Sequence, residues 1–169
     1  MSGRVKPYAT YGISPGSEVD ILGAIHLTVE DSSGSVSESS PIGKPYGITN
    51  TAYSYERYIR LKVTVAPQNL FSNFKFWSGT ISSPDPGVVF KVGTTSSYTT
   101  PVITESTKAI HTLHSTYPSY SQSLSLTGSL TTVGNTTCYV VVQCHVNSSA
   151  STGTIDSSRT LMHYAFDES

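Results

Sequence analysis

The side chains able to do chemistry are few in this sequence, and their spacing is poor for catalysis. A serine hydrolase needs a nucleophile held against a histidine that a third group orients. The chain carries five histidines and abundant serine; Gly12-Ile13-Ser14-Pro15-Gly16 has the GxSxG spacing, but no helix is expected after it to make a nucleophile elbow. Cys138 and Cys144 fall six residues apart in one expected strand, so their Cα atoms are separated by about 20 Å, beyond disulfide reach. Apolar neighbours and the lack of a local cation make them buried free thiols, in keeping with synthesis in a reducing compartment. His111 and His114 could supply two metal ligands from a turn, with Glu105 the nearest carboxylate, short of the four ligands a structural zinc takes. His26, His145 and His163 alternate with core positions on expected strands and read as sheet-surface or interface residues. Asp31, Asp85 and Asp156 sit in separate turns with no calcium-loop run. Glu30 and Asp31 are strand neighbours that face opposite ways, which fails the geometry of a glycosidase carboxylate pair. The expectation is a chain without catalytic residues, metal site or cofactor.

Binding is the better prospect. The chain has 11 tyrosines and one tryptophan, Trp77. Tyr98, Tyr117 and Tyr120 lie in a long Ser/Thr-rich segment, 94–123, where no core role is forced on them, and Tyr8 and Tyr11 lie in a Gly/Pro-rich N-terminal stretch. All five are interface candidates, because a rigid ring offers contact area with one hydroxyl to satisfy. The rival expectation is glycan contact through Tyr98, Tyr117 and Tyr120. Asn135 and Asn147 satisfy N-x-S/T but read as chance matches in a Ser/Thr-rich chain without a secretory signal. Arg60 and Lys62 share the polar face of a strand. They either pair with acidic neighbours or blunt an edge, and edge blunting is the expectation.

These side chains must be positioned by strands. The densest apolar stretch, Tyr53 to Gly79, reads as two strands joined by a turn at Pro67 to Asn69. Ile59, Leu61, Val63 and Val65 alternate with Tyr58, Arg60, Lys62 and Thr64; Phe74 and Phe76 then alternate with Lys75 and Trp77. A second strong strand spans Thr137 to Val146, with Cys138, Val140, Val142, Cys144 and Val146 on one face and Tyr139, Val141, Gln143 and His145 on the other. Further strands are expected over 21–29, 35–39, 88–92 (stopped by Gly93), 124–133 and 158–167, with 101–103 as a weaker edge candidate and 109–113 as a faint helix or strand candidate. No helical periodicity and no fixed repeat occur. Seven to nine strands between Gly/Pro/Ser turns predict an all-β fold, a two-sheet β-sandwich in jelly-roll or immunoglobulin-like style. Residues 1–17 are expected as an extended N-terminal arm ordered only when something holds it, and 18–169 as a single sandwich domain.

Composition narrows the partners. Charged residues make up 12% of the 169, about half the usual fraction, and Ser and Thr carry the polar surface. A formal net charge of −1 gives no electrostatic case for nucleic acid or an anionic membrane. No stretch reads as a signal peptide or approaches the roughly 20 apolar residues of a spanning helix, so a soluble chain is expected.

The segment YERYIRLKVTVAP, with Tyr55, Tyr58, Ile59, Leu61 and Val63, followed by Ser72, Asn73, Phe74, Lys75, Phe76 and Trp77, resembles small Ser/Thr-rich virion proteins of tailed bacteriophages. The alternating strand closing in Phe166, Asp167 and Glu168 is similar too, and the likeness covers about a third of the chain. It implies a non-enzymatic structural subunit located in the virion, of head-decoration, neck or tail accessory type. Its partners would be itself, as a homo-oligomer, and other virion structural proteins. The resemblance transfers no catalytic residue.

Overall fold

The computed structural model describes residues 2–21, 27–31, 42, 50–78, 86–113, 123–151 and 162–169. Ten strands lie among them: β1 (Arg4–Tyr11), β2 (Ser17–Asp20), β3 (Thr51–Tyr53), β4 (Arg57–Val65), β5 (Phe71–Ser78), β6 (Val88–Thr95), β7 (His111–Leu113), β8 (Leu124–Leu126), β9 (Tyr139–Asn147) and β10 (Met162–Glu168). They form two antiparallel sheets. The larger has seven strands in the order β2-β1-β4-β9-β6-β7, with β3 also paired to β9; the smaller is β10-β5-β8. Of the expected strand over 21–29, residues 22–26 lie outside the described residues and Ile21 and 27–29 are in no strand; the one expected over 35–39 lies outside the described residues too.

One core joins the sheets. Ile59, Leu61 and Val63 of β4, Val88, Phe90 and Val92 of β6, and Val140, Val142, Cys144 and Val146 of β9 meet Phe71, Phe74 and Phe76 of β5 and Leu126 of β8. The period-two alternation of each strand brings these side chains to a shared face. Their burial supplies the main driving force, at about 1.5–3 kcal/mol for each large apolar side chain.

The two strands of the Tyr53–Gly79 stretch form where expected, but they are not a hairpin. β4 belongs to the seven-stranded sheet and β5 to the three-stranded one. Both strands carry an apolar face that needs the same core. Crossing from one sheet to the other lets Ile59, Leu61 and Val63 meet Phe71, Phe74 and Phe76 through that core. A bulge adjusts β5: Ala165 pairs with Lys75 and Asp167 with Ser72, so β5 holds one extra residue there. Asn73 absorbs it at φ 53°, a left-handed conformation asparagine tolerates better than most residues. Phe71 and Phe74, three apart, thereby both turn inward.

The expected N-terminal arm is a correction. Residues 4–11 are β1, an interior strand paired to β4 from Arg4↔Val65 to Thr10↔Tyr58 and to β2 from Tyr8↔Asp20 to Tyr11↔Ser17. Val5 and Ala9 are buried, so the stretch has an apolar face despite its Gly and Pro content. Pro7 is tolerated because it lies just beyond the β2 ladder. Its carbonyl accepts from Ile21 N, and the missing N–H falls on that same side.

Gly93 does not stop β6, which runs on to Thr95. Its role is close approach: a Cβ built there would meet the Lys108 carbonyl oxygen at 1.9 Å. The backbone at 108 rests on the strand at this one gap. Pro101 to Ile103 forms no strand, whereas 111–113 of the 109–113 candidate does. At the chain's end Ser169 N donates to Leu70 O, and Asn69 N and Leu70 N donate to Ser169 O, tying the last residue to the start of β5.

Replacing Gly93 by alanine should therefore destabilise the chain by about 2 kcal/mol or more, since the clash is with backbone rather than with a flexible side chain. A urea-denaturation midpoint unchanged in Gly93→Ala would show that the 108 segment does not press on β6 in solution.

Candidate functional site

The second face of the large sheet carries the polar chemistry. Its residues are Lys6, Tyr8 and Thr10 of β1, Tyr58, Arg60 and Lys62 of β4, Tyr139, Val141, Gln143 and His145 of β9, and Val89, Lys91 and Gly93 of β6, as the registers require. Over its middle lies the irregular stretch 96–110. Tyr58, Ala109, Tyr139 and Val141 form a small second core there, with Tyr98 packed against it. The ring centroids of Tyr58 and Tyr98 are 4.8 Å apart, edge to face. β9 is consequently buried on both faces along nearly its whole length.

A buried carboxylate fastens this stretch down. Tyr53 pairs with His145 and Arg57 with Val142, so the chain inserts one extra residue between β3 and β4 along the same edge of β9. The parity of facing flips at this bulge. Tyr53, Glu56 and Tyr58 all end up on the outer face, and the Glu56 side chain is 0% exposed. Ser106 Oγ donates to Glu56 Oε1 at 2.5 Å, and Tyr58 OH donates to Oε2 at 3.0 Å. Val102 N reaches Oε2 at 3.4 Å, Lys108 Nζ stands 3.7 Å from Oε1, and Glu56 N donates to Val102 O. Because the Tyr58 proton goes to Glu56, Thr99 is the donor in its 2.8 Å bond with Tyr58. Burial works against the Lys108 charge, but bonds to Tyr58 and the Glu56 charge outweigh it and raise its pKa.

Gln143 completes the fastening. Its Nε2 donates to the carbonyls of Ser54 and Thr104, and its Oε1 accepts from Ser106 N at 2.9 Å. That fixes the orientation of the amide, so the 3.0 Å contact of His145 Nε2 with Gln143 Oε1 requires the proton on Nε2. His145, expected at a sheet surface or interface, is 9% exposed and meets the Tyr53 ring edge to face at 4.8 Å. Burial and then the nearby Lys91 charge lower its pKa, with Glu105 opposing them. Cys144 beside it faces the main core, and burial pushes its thiol up to about 12, which makes it inert. Cys144 and Cys138 are both free.

Toward β2 the outer face is an ion-pair ladder. Glu18 takes Arg60 Nε at 2.5 Å and Lys62 Nζ at 2.6 Å, and Lys6 pairs with Asp20 at 2.8 Å. Burial opposes the Glu18 charge, yet the bonds from Lys62 and Arg60 prevail and lower its pKa. Arg60 and Lys62 thus pair across strands rather than blunting an edge. Arg57 lies on the core side at the sheet's end. It binds Asp31 at 3.1 Å and the Glu30 carbonyl, and covers the Tyr11 ring.

Three of the five interface tyrosines are accounted for. Tyr8 is half-buried under Lys62, and Tyr11 is half-buried beneath Arg57. Tyr98 is half-buried with its hydroxyl donating to Gly12 O. Tyr117 and Tyr120 lie outside the described residues, as do His26 and His114. His163 is exposed and stacks on Trp77, its partner across the strands, at 5.5 Å. Among the described residues no group of three or more His, Cys, Asp or Glu side chains is arranged to hold a metal. Among the same residues no helix is long and apolar enough to cross a membrane.

The residues that sequence reasoning missed are Glu56, Ser106 and Gln143. Gln143 and His145 offered a signal: polar side chains following Tyr139 and Val141 on one strand face point to a second covered face with polar partners inside it. Comparison with protein-family models, with curated proteins and with solved structures finds no match.

Replacing Glu56 by alanine leaves buried donors unsatisfied and should cost roughly 3 kcal/mol. Amide exchange should quicken selectively over residues 99–110, and uniform quickening across all strands would refute a local clasp. His145 yields a pH signature. Its folded pKa is lowered from the ordinary 6.5, so the stability it contributes is complete above that value and is lost as pH falls toward the folded pKa. The melting temperature should drop more between pH 7.5 and 5.5 in the native chain than in His145→Gln; parallel curves would contradict this.

Proposed function

We propose that this chain is a non-enzymatic structural subunit of a virus particle, of the small all-β kind that serves tailed bacteriophages in head decoration, neck or tail. It assembles with copies of itself and with other virion structural proteins. In this reading the two sheets are a β-sandwich of jelly-roll or immunoglobulin-like style.

The observation that carries the proposal is an apolar corner. The turn after β1 meets the 98–102 stretch through Ser14 N to Thr100 Oγ1 at 3.1 Å and Tyr98 OH to Gly12 O. Around that junction Ile13 is 82% exposed, Val102 38% and Ile103 40%. Single exposed apolar residues are ordinary, but several on segments bonded to each other form a contact surface. The stretch beneath is clamped by Glu56 and Gln143, so little ordering entropy remains to be lost when a neighbour docks.

Two further observations agree. Ser106, whose hydroxyl lies against a buried carboxylate, is committed to Glu56 and accepts from Lys108 N and Ala109 N. It is a clasp, not a nucleophile beside a base. The low charge and hydroxyl-rich surface suit a subunit packed among others, as does the resemblance of residues 55–77. For the glycan alternative, Tyr98 is a poor platform, since its ring lies against Tyr58 and Tyr139.

Removing residues 1–17 is a poor test, because β1 would go with them. Point changes at the corner are cleaner. Light scattering and electron microscopy of the native chain should show defined oligomers, rings or tubes that dissociate in Ile13→Ser/Ile103→Ser, with the melting temperature of the dissociated protein retained. A native chain that stays monomeric at high concentration and adds to no particle would overturn the proposal.

A further inference from the structure

At the opposite end of the outer face, away from the apolar corner, the 96–110 stretch does not extend over the sheet, and the described residues leave a groove there. Thr51 of β3, Gly87 and Val89 at the start of β6, Lys91, Thr112 of β7, His145 and Asn147 line a groove of about 260 Å³. The volume lies below the range typical of drug-sized ligands. Thr51, Lys91, Thr112, His145 and Asn147 bring polar groups to it, while the greater part of its exposed lining is apolar. None of these residues belongs to the Glu56 clasp, although His145 touches its edge through Gln143.

Two cation-forming side chains share this groove. Val89 stands opposite His145 and Lys91 opposite Gln143, so Lys91 and His145 are diagonal neighbours on one face, about 7 Å apart by ordinary sheet geometry. Lys91 Nζ donates to Thr112 Oγ1 at 2.8 Å. That bond uses one of three ammonium protons and steadies the side chain over the groove. His145 has Nε2–H committed to Gln143, which leaves Nδ1 as the nitrogen that takes up a proton. Asn147 Oδ1 accepts from Ser149 N at 2.8 Å, which holds its amide in place. Facing His145 from the packed elements are Lys91, the Tyr53 ring edge, the Gln143 amide and the exposed carboxylate of Glu105.

We propose that this groove binds a small hydroxylated carboxylate of sugar-acid size, its carboxylate seated at Lys91 and His145 and its hydroxyls on the Thr51, Thr112 and Asn147 side. An anion here relieves the repulsion between the Lys91 ammonium and a protonated imidazole, so ligand binding and His145 protonation reinforce each other. Binding therefore strengthens as pH falls from 7.5 toward 6. Glu105 opposes the anion, but it projects into solvent, where its charge is screened. The site does not depend on assembly and would exist in a monomer.

The test is an NMR titration of the intact chain, following the His145 ring resonances, with glucuronate, acetate and glucose as probes. Glucuronate should give a saturable shift and raise the His145 pKa. Lys91→Met should weaken it by about tenfold or more, and Lys91→Arg should restore it. Acetate should bind more weakly than glucuronate; acetate binding as tightly would overturn the hydroxyl contacts and with them the sugar-acid assignment. The proposal is overturned if glucuronate gives no saturable shift, if Lys91→Met binds as the native chain does, or if neutral glucose binds equally well. Unchanged His163 resonances in each variant verify that the fold is intact.

Discussion

A carboxylate with no exposure to water is the constraint on which the outer half of this structure depends. Glu56 would cost several kcal/mol to bury alone. Here both oxygens meet donors: Ser106 on one, Tyr58 and the Val102 amide on the other, with the Lys108 ammonium close by. Each donor except Tyr58 comes from a stretch that has no sheet ladder of its own between Thr95 and His111. Such a stretch needs partners for its backbone groups, and the sheet face needs a cover for Tyr58, Tyr139 and Val141. Glu56 meets both needs, with Gln143 taking Ser106 N and Thr104 O.

The clasp exists because of a single extra residue. Without the insertion between Tyr53 and Arg57, strict alternation would put Tyr53 and Glu56 on opposite faces. Glu56 would then enter the main core among Val142 and Cys144, where no donor waits. The bulge at Asn73 works in the same way on the smaller sheet, turning both Phe71 and Phe74 toward the core. In each case a small break in the ladder decides which side chains share a face. A continuous strand of the same composition would bury the wrong set.

This explains what could be read from the sequence and what could not. Period-two alternation located β4, β5, β6, β9 and β10, assigned the faces of β9 correctly and placed Cys144 in the core. It could not assign β4 and β5 to different sheets, because alternation records which face is apolar and not which partner lies beside it. β1 was missed because Gly3, Pro7 and Gly12 mask the buried pair Val5 and Ala9. The candidate site was largely illegible. Glu56 sits among tyrosines and an arginine like any strand-edge charge, and its burial follows from a parity flip and from residues 50 to 87 positions away, Ser106 and Gln143. Arg60 and Lys62 looked like edge blunting for a related reason: their partner Glu18 lies in a strand that reads as part of a loop.

The internal use of charge bears on the surface that remains. Glu18, Asp20, Asp31 and Glu56 are matched with Lys6, Arg57, Arg60, Lys62 and Lys108 within the chain. A chain that starts with few charges and pairs so many of them internally presents hydroxyls, amides and scattered apolar groups outward. Such a surface has weak long-range steering and weak like-charge repulsion between copies. Among the described residues the most exposed large apolar side chain, Ile13, lies on a turn held by Tyr98 and Thr100 on one side and by Asp31 at Gly12 N on the other. The bonds of Asp31 that pair the buried Arg57 also brace the turn that carries Ile13.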